Sequence, residues 1–205
     1  VKQKKIKPVL INYTYLNKRY EKVPDDDDML LIDKINQAEI PYFVPTSIIN
    51  KGDKTGEPLR EGISNIHHFY IKSNLWSLCS ILDKVEKNSG VGRLGILFTS
   101  ILLNSSKLYR WRVNGKGGYL NGTLYVASLL QINNPIKLFK EKISDFKFLL
   151  LQNNAVMISS ANNLLLKSNS IDYIFTDPPF GSNLMYSELN ILWESWLKVK
   201  TNNNK

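Results

Sequence analysis

A chain of 205 residues, 43% hydrophobic and 22% charged, carries enough apolar material to bury a core, and no window of it approaches the apolar length of a transmembrane helix. The 27 Lys and Arg against 18 Asp and Glu leave a net charge of +9, which points to an intracellular globule facing nucleic acid. A single cysteine, Cys79, rules out an internal disulfide, and with only His67 and His68 beside it a zinc ribbon cannot be built, so no metal site is expected.

In chain order, the charges of Lys2, Lys4 and Lys5 lack a following apolar run, so no signal peptide is read and a cytoplasmic location without a membrane partner is expected. Residues 9–15 and 18–21 predict a hairpin turning at Leu16-Asn17. Pro24 and the run Asp25 to Asp28 predict the cap of a helix over 29–37, since carboxylates favour the positive end of a helix dipole; that is preferred to a metal site. Glycine, lysine and proline mark 49–62 as a loop. Helices are predicted over 68–87, with Leu75, Leu78, Cys79 and Leu82 on the apolar face, and over 91–108, with Leu94, Leu97, Phe98, Ile101 and Leu102. These pack as a helical hairpin. Gly90 reads as a helix stop, Gly92 and Gly95 as small residues on the next helix, and His67 and His68 as structural or surface residues. A strand is expected over 119–128, a helix over 135–144 with Lys137, Lys140 and Lys142 exposed, and a sheet strand over 156–160.

Most of the chemistry lies near the C-terminal end. The apolar run 171–176 reads as a buried strand, at 173–176, stopped by two prolines that cannot donate to a ladder. Asp177-Pro178-Pro179-Phe180 then stands at the strand's carboxyl end, the edge of an open α/β sheet where ligands bind. The exocyclic amino group of adenine or cytosine is a poor nucleophile, because its lone pair is delocalised into the ring. Two acceptors set tetrahedrally about the nitrogen, the Asp177 carboxylate and the Pro178 carbonyl, take its N–H bonds and localise that lone pair towards a sulfonium methyl. Pro178 and Pro179 fix φ and stiffen the loop, while Phe180 stacks on a base flipped out of the duplex. After the motif, Met185, Leu189, Leu192, Trp193, Trp196 and Leu197 fall on one helical stripe, read as a core face. Asn183 and Tyr186 are candidates for lining the base pocket.

These residues resemble the DNA amino-methyltransferases acting on N6 of adenine or N4 of cytosine, whose motif is Asp/Asn/Ser-Pro-Pro-Tyr/Phe after a strand. The stretch from Asp172 through Gly181-Ser182-Asn183-Leu184-Met185-Tyr186-Ser187-Glu188-Leu189-Asn190 is similar to the enzymes of restriction-modification systems and mobile elements. Segments at 7–13, 18–22, 40–42 and 67–70 resemble the stretch ahead of the motif in those larger proteins. The resemblance implies an α/β fold, part of a Rossmann-like sheet that uses S-adenosylmethionine, with a mixed α+β, partly helical recognition region ahead of it. It also implies a Phe-x-Gly-x-Gly turn and a ribose-binding carboxylate, and the sequence offers neither. Gly90-Val91-Gly92 has no preceding strand, and Ser160 ends the 156–160 segment where some methylases have Asp. The cofactor site is therefore expected to be incomplete, the isolated chain inactive, and the partners to include missing parts of the same enzyme or a complementing chain.

Charge divides the chain. Residues 84–147 hold eleven Lys and Arg against three carboxylates, whereas 151–205 balance four against four. That suits a basic middle holding phosphates beside a neutral segment acting on the base. The sharpest patch runs Lys107-Leu108-Tyr109-Arg110-Trp111-Arg112 and on to Lys116, basic residues interleaved with aromatics; it reads equally as a DNA-contacting strip or as a solvated face with Trp111 in the core. Three segments result: 1–66 a hairpin, helix and loop; 67–150 helical, basic and DNA-contacting; 151–205 a partial catalytic segment. The expected function is part of a site-specific DNA methyltransferase. The alternative is a non-catalytic nucleic-acid-binding fragment lacking the cofactor site, and a related Asn-Pro-Pro-Tyr motif in RNA and protein-glutamine methylases leaves the substrate polymer open.

Overall fold

The structure, a computed structural model, describes residues 5–89, 93–113, 117–145, 163–178 and 185–199. Strand β1 (Ile11–Tyr15) pairs antiparallel with β2 (Lys18–Lys22), Tyr13 opposite Tyr20 with their rings stacked at 5.5 Å. The turn is Leu16-Asn17, at φ 47° and 62°; two positive φ values are what a two-residue type I′ turn demands, and its twist matches the strands it joins. Helix α1 (Asp26–Gln37) comes next, with the expected cap. The Asp28 N–H donates to the Asp25 carboxylate at 3.0 Å, and the Asp25 N–H donates back to the Asp28 carboxylate at 3.1 Å, a reciprocal capping box. Lys22 lies 3.1 Å from Asp25 and 2.7 Å from Asp28, so the acid run is used locally.

The expected loop after α1 contains one short helix, α2 (Gly56–Arg60), and a 3-10 turn occupies Ile66–Phe69. Helix α3 (Lys72–Ser89) therefore starts four residues later than its apolar spacing predicts, because that turn uses His67 and His68. Helix α4 (Arg93–Leu102) packs on α3, and α5 (Pro135–Asp145) packs on both. Gly95 is buried within α4, as its reading as a small helical residue requires, while Gly90 and Gly92 lie outside the described residues.

One core joins distant parts of the chain. Ile49 and Ile63, then Phe69, Leu78, Leu82, Phe98, Ile101 and Leu102, and finally Leu192 and Trp196 from α6 (Tyr186–Trp196) share it. Trp196 sets edge-to-face against Tyr70 and Phe98, each at 5.5 Å, and its indole N–H donates to the Tyr70 hydroxyl at 3.0 Å. Burial holds the Tyr70 phenol protonated well above its usual range, so that oxygen stays a stable acceptor. Removing a buried indole of this kind costs about 3–5 kcal/mol.

Helices and strands are both present, and the sheet among the described residues is two-stranded and antiparallel; a doubly wound parallel sheet is not among them. Two expected strands are corrected. Residues 119–128 form a loop with a turn at Asn121-Gly122, where Gly122 takes φ 68°, and Thr123 accepts from Tyr125 while donating to the Leu120 carbonyl. Ladder bonds go instead to Arg110, which bridges Gly118 on one side and Leu130 on the other. Residues 173–176 form no strand either. Tyr173, Ile174 and Phe175 are exposed, at 81%, 72% and 82%, because no described segment lies alongside to take their backbone groups. The 156–160 segment expected as their neighbour lies outside the described residues. Among the described residues, no helix is long and apolar enough to cross a membrane.

Candidate functional site

Asp177 and Pro178 sit in exposed, irregular chain, and Pro179, Phe180 and Asn183 lie outside the described residues. The helix beyond the motif is held tightly. At the start of α6, Met185 provides no side-chain cap, yet Glu188 in the first turn reaches across 133 to 135 positions of sequence to the loop ahead of α2. Its carboxylate accepts three consecutive backbone N–H groups, from Asp53 at 3.2 Å, Lys54 at 2.7 Å and Thr55 at 3.1 Å. Thr55, itself buried, donates its hydroxyl to the Asn50 carbonyl at 2.7 Å and so fixes the loop's curvature. Gly52 closes the nest: a Cβ there would lie 2.5 Å from the Glu188 carboxylate, so this position accepts no side chain while the clasp is made.

Further bonds run along the same helix. The Trp193 indole donates to the Thr99 carbonyl at 3.2 Å, Ser195 to the Ser47 hydroxyl at 2.8 Å, and just past the helix Lys198 pairs with Glu86 at 2.7 Å. The chain leaving the motif is thus tied to the loop at 53–55, to Ser47, to α3 and to α4. No sequence pattern announced the clasp. Its only signals were a Gly-x-x-x-Gly loop at Gly52 and Gly56, and a carboxylate in the first turn of a helix, where one is favoured anyway.

Tyr186, Leu189, Asn190 and Trp193 form one wall of a cavity of about 370 Å³, closed by the loop from Tyr119 to Tyr125 and floored by Leu103 and Leu108. Tyr119, Tyr125 and Tyr186 are part-exposed aromatics, and Asn121 and Asn190 are exposed amides. Flat aromatic walls with a few amides at the rim accept a planar heterocycle and can read its edge by hydrogen bonds. Tyr186 is the one expected pocket residue that the described structure brings to a concave surface. The 119–125 loop escapes a reading of the sequence because its residues are of strand-forming type.

The basic strip divides. Trp111 is 46% exposed, so it does not belong to the core, while Arg110 and Arg112 are half-buried with each Nε enclosed and without a hydrogen-bond partner. Gly117 lies against the Tyr109 ring, which keeps the Arg110 to Gly118 bridge tight. Lys116 lies outside the described residues. Lys107 departs from the expected strip: it is only 7% exposed, and its backbone N–H donates to the Phe69 carbonyl at 2.7 Å, so it does not share the exposure of Trp111. Burial holds the Cys79 thiol up at about 12, which leaves it unreactive at neutral pH. No group of three or more metal-ligating side chains occurs among the described residues.

Comparison with protein families, with curated proteins and with solved structures returns no match for this chain.

Proposed function

We propose that this chain is the base-handling part of a DNA amino-methyltransferase, a segment of a Rossmann-like enzyme that transfers a methyl group from S-adenosylmethionine to an exocyclic amino nitrogen. The observation that carries the reading is the sequence Asp177-Pro178-Pro179-Phe180 a few residues ahead of α6, whose first two turns present Tyr186 and Asn190 to a base-sized cavity and whose Glu188 is clasped in place. In this reading Asp177 and the Pro178 carbonyl accept the two amino N–H bonds, Phe180 and Tyr186 supply flat surfaces for the unstacked base, and Arg110 and Arg112 meet phosphate.

The described residues do not themselves fit S-adenosylmethionine. Gly95 is buried inside α4 with no strand ahead of it, and no glycine-rich strand-to-helix turn occurs among them. The cradle for the methyl donor belongs to other residues. The exposed run at 171–175 supports the same division, since apolar residues of strand-forming type find no ladder partner among the described segments.

A second reading draws on that incompleteness: a nucleic-acid-binding segment that holds DNA without modifying it. Labelled-methyl transfer to unmodified DNA by the enzyme containing this segment separates the two. Transfer that disappears in Asp177→Ala with DNA affinity unchanged supports the first reading, and DNA binding without transfer supports the second.

A further inference from the structure

The backbone around Arg110 and Arg112 sets these two arginines against each other. Arg110 and Gly118 exchange both backbone hydrogen bonds, N–H to carbonyl, at 3.1 and 3.2 Å. In an antiparallel ladder the two members of such a pair share one face, so the Arg110 side chain stands beside the bare backbone of Gly118. On its other flank Arg110 lies opposite the half-buried Leu130, in a register fixed by the Trp111 N–H to Leu129 carbonyl and Gln131 N–H to Tyr109 carbonyl bonds, at 3.0 Å each. Arg112, two residues on, returns to the Arg110 face. Its guanidinium leans over Gly118, with Nη2 at 3.6 Å and Cζ at 3.9 Å from the place a Cβ of that residue would take. The space beside Arg110 that a side chain at 118 would fill is therefore where the Arg112 head comes in.

Two like charges on one face repel, and no carboxylate offsets them. All 18 Asp and Glu of the chain lie among the described residues, and none of them pairs with Arg110 or Arg112. Each Nε is enclosed and has no hydrogen-bond partner among the described residues, a costly state for a charged donor. The enclosed stems hold both heads in place. Their outer nitrogens are not enclosed in this way, and they face solvent with no acceptor from the described chain.

We propose that Arg110 and Arg112 form one shared seat for a single phosphate group, rather than two separate points of a basic strip. Two planar forks brought to one place can each grip two oxygens of a tetrahedral phosphate, a geometry that a lysine ammonium does not reproduce. The excess of eleven basic side chains over three carboxylates across 84–147 favours a polyanion as the source of that phosphate. The proposal deepens the phosphate contact already given to these two arginines, and it rests on that reading for the polyanion alone.

The test follows the Nε–H resonances of both arginines by heteronuclear NMR in the full 205-residue chain. The chain is titrated with inorganic phosphate at constant ionic strength, chloride serving as the control, and then with a short single-stranded oligonucleotide without terminal phosphates. Both signals are expected to move saturably and together, with one common dissociation constant below ~1 mM. Arg110→Lys and Arg112→Lys keep the charge but lose the fork, and each is expected to weaken the response of the remaining arginine by at least ~10-fold. If Arg110→Lys, at the centre of the ladder, does not fold, Arg112→Lys at its end carries the test. A response to the oligonucleotide assigns the seat to backbone phosphodiesters, and a response to inorganic phosphate alone assigns it to a free phosphate or a monoester. No saturable shift with either probe, two different dissociation constants, or a remaining arginine that responds as before when the other is lysine, overturns the proposal. No methyl donor enters the titration, so its failure is read separately from a failure of the Asp177→Ala transfer experiment.

Discussion

Gly52→Ala and Glu188→Ala should reveal the clasp through a change of sign. Glu188 accepts three backbone N–H groups within 3.2 Å, two of them part-buried. A hydrogen bond to a charged group contributes about 1.5–3 kcal/mol, but three bonds to one half-exposed carboxylate share its charge and compete with water, so Glu188→Ala should cost about 2–3 kcal/mol in total. At Gly52 a methyl group would stand 2.5 Å from the carboxylate and must push it out of the nest, a loss of about 2 kcal/mol. Gly52 does not hold a positive φ, so alanine is compatible with its backbone. In the Glu188→Ala background the collision is gone, and Gly52→Ala should be neutral or stabilising by up to about 0.5 kcal/mol, through the smaller entropy of the unfolded chain. Urea unfolding of the wild type, both single variants and the double variant closes the cycle, with a coupling of about 2 kcal/mol expected. Equal costs for Gly52→Ala in the two backgrounds would refute the clasp, as would a loss below about 0.5 kcal/mol for Glu188→Ala.

Three further outcomes rest on the same structure. Lys107, depressed by burial to about 8 against an ordinary 10.5, gives up its proton first in the folded state, so the unfolded chain binds more protons between those values and stability rises with pH across that window. Wild type minus Lys107→Met should recover about 3 kcal/mol from pH 8 to pH 10.5, and a flat difference would contradict the burial. Neutralising Arg110 and Arg112 together should weaken binding to all DNA sequences alike and flatten the slope of log affinity against log salt by up to about 2; an unchanged slope removes this strip from the interface. The 205-residue chain alone should bind S-adenosylmethionine weakly and transfer no methyl group, so micromolar binding by calorimetry would expose a complete cofactor site within the chain.

The features legible in the sequence were local. The hairpin, the Asp25 cap, the apolar faces of α3 and α4 and the stripe carrying Leu192 and Trp196 all depend on residues within a few positions of one another, where periodicity and capping rules act. The failures were long-range. Residues 119–128 and 173–176 have strand-forming side chains, but a strand exists only if another segment offers a ladder; near the first, Arg110 spends its ladder on Gly118 and Leu130, and the second finds no partner among the described residues. Within the candidate site, the motif itself was plain in the sequence, and Tyr186, expected to line a pocket, lines the cavity. The cavity wall from Tyr119 to Tyr125, the Glu188 clasp and the burial of Lys107 were not plain, because each depends on contacts across tens of residues or more that carry no spacing signal.

The most direct measurement is nucleoside mass spectrometry of unmodified DNA incubated with S-adenosylmethionine and the methyltransferase proposed to contain this segment, in its wild-type and Asp177→Ala forms. Asp177 is exposed in irregular chain, so the variant should unfold at the wild-type denaturant concentration and keep its DNA affinity. The account predicts N6-methyladenine or N4-methylcytosine with the wild type, and a loss of at least ~100-fold in rate with the variant. Methylated base formed at near wild-type rate by Asp177→Ala, or no methylated base from an enzyme that binds both DNA and the methyl donor, would contradict it.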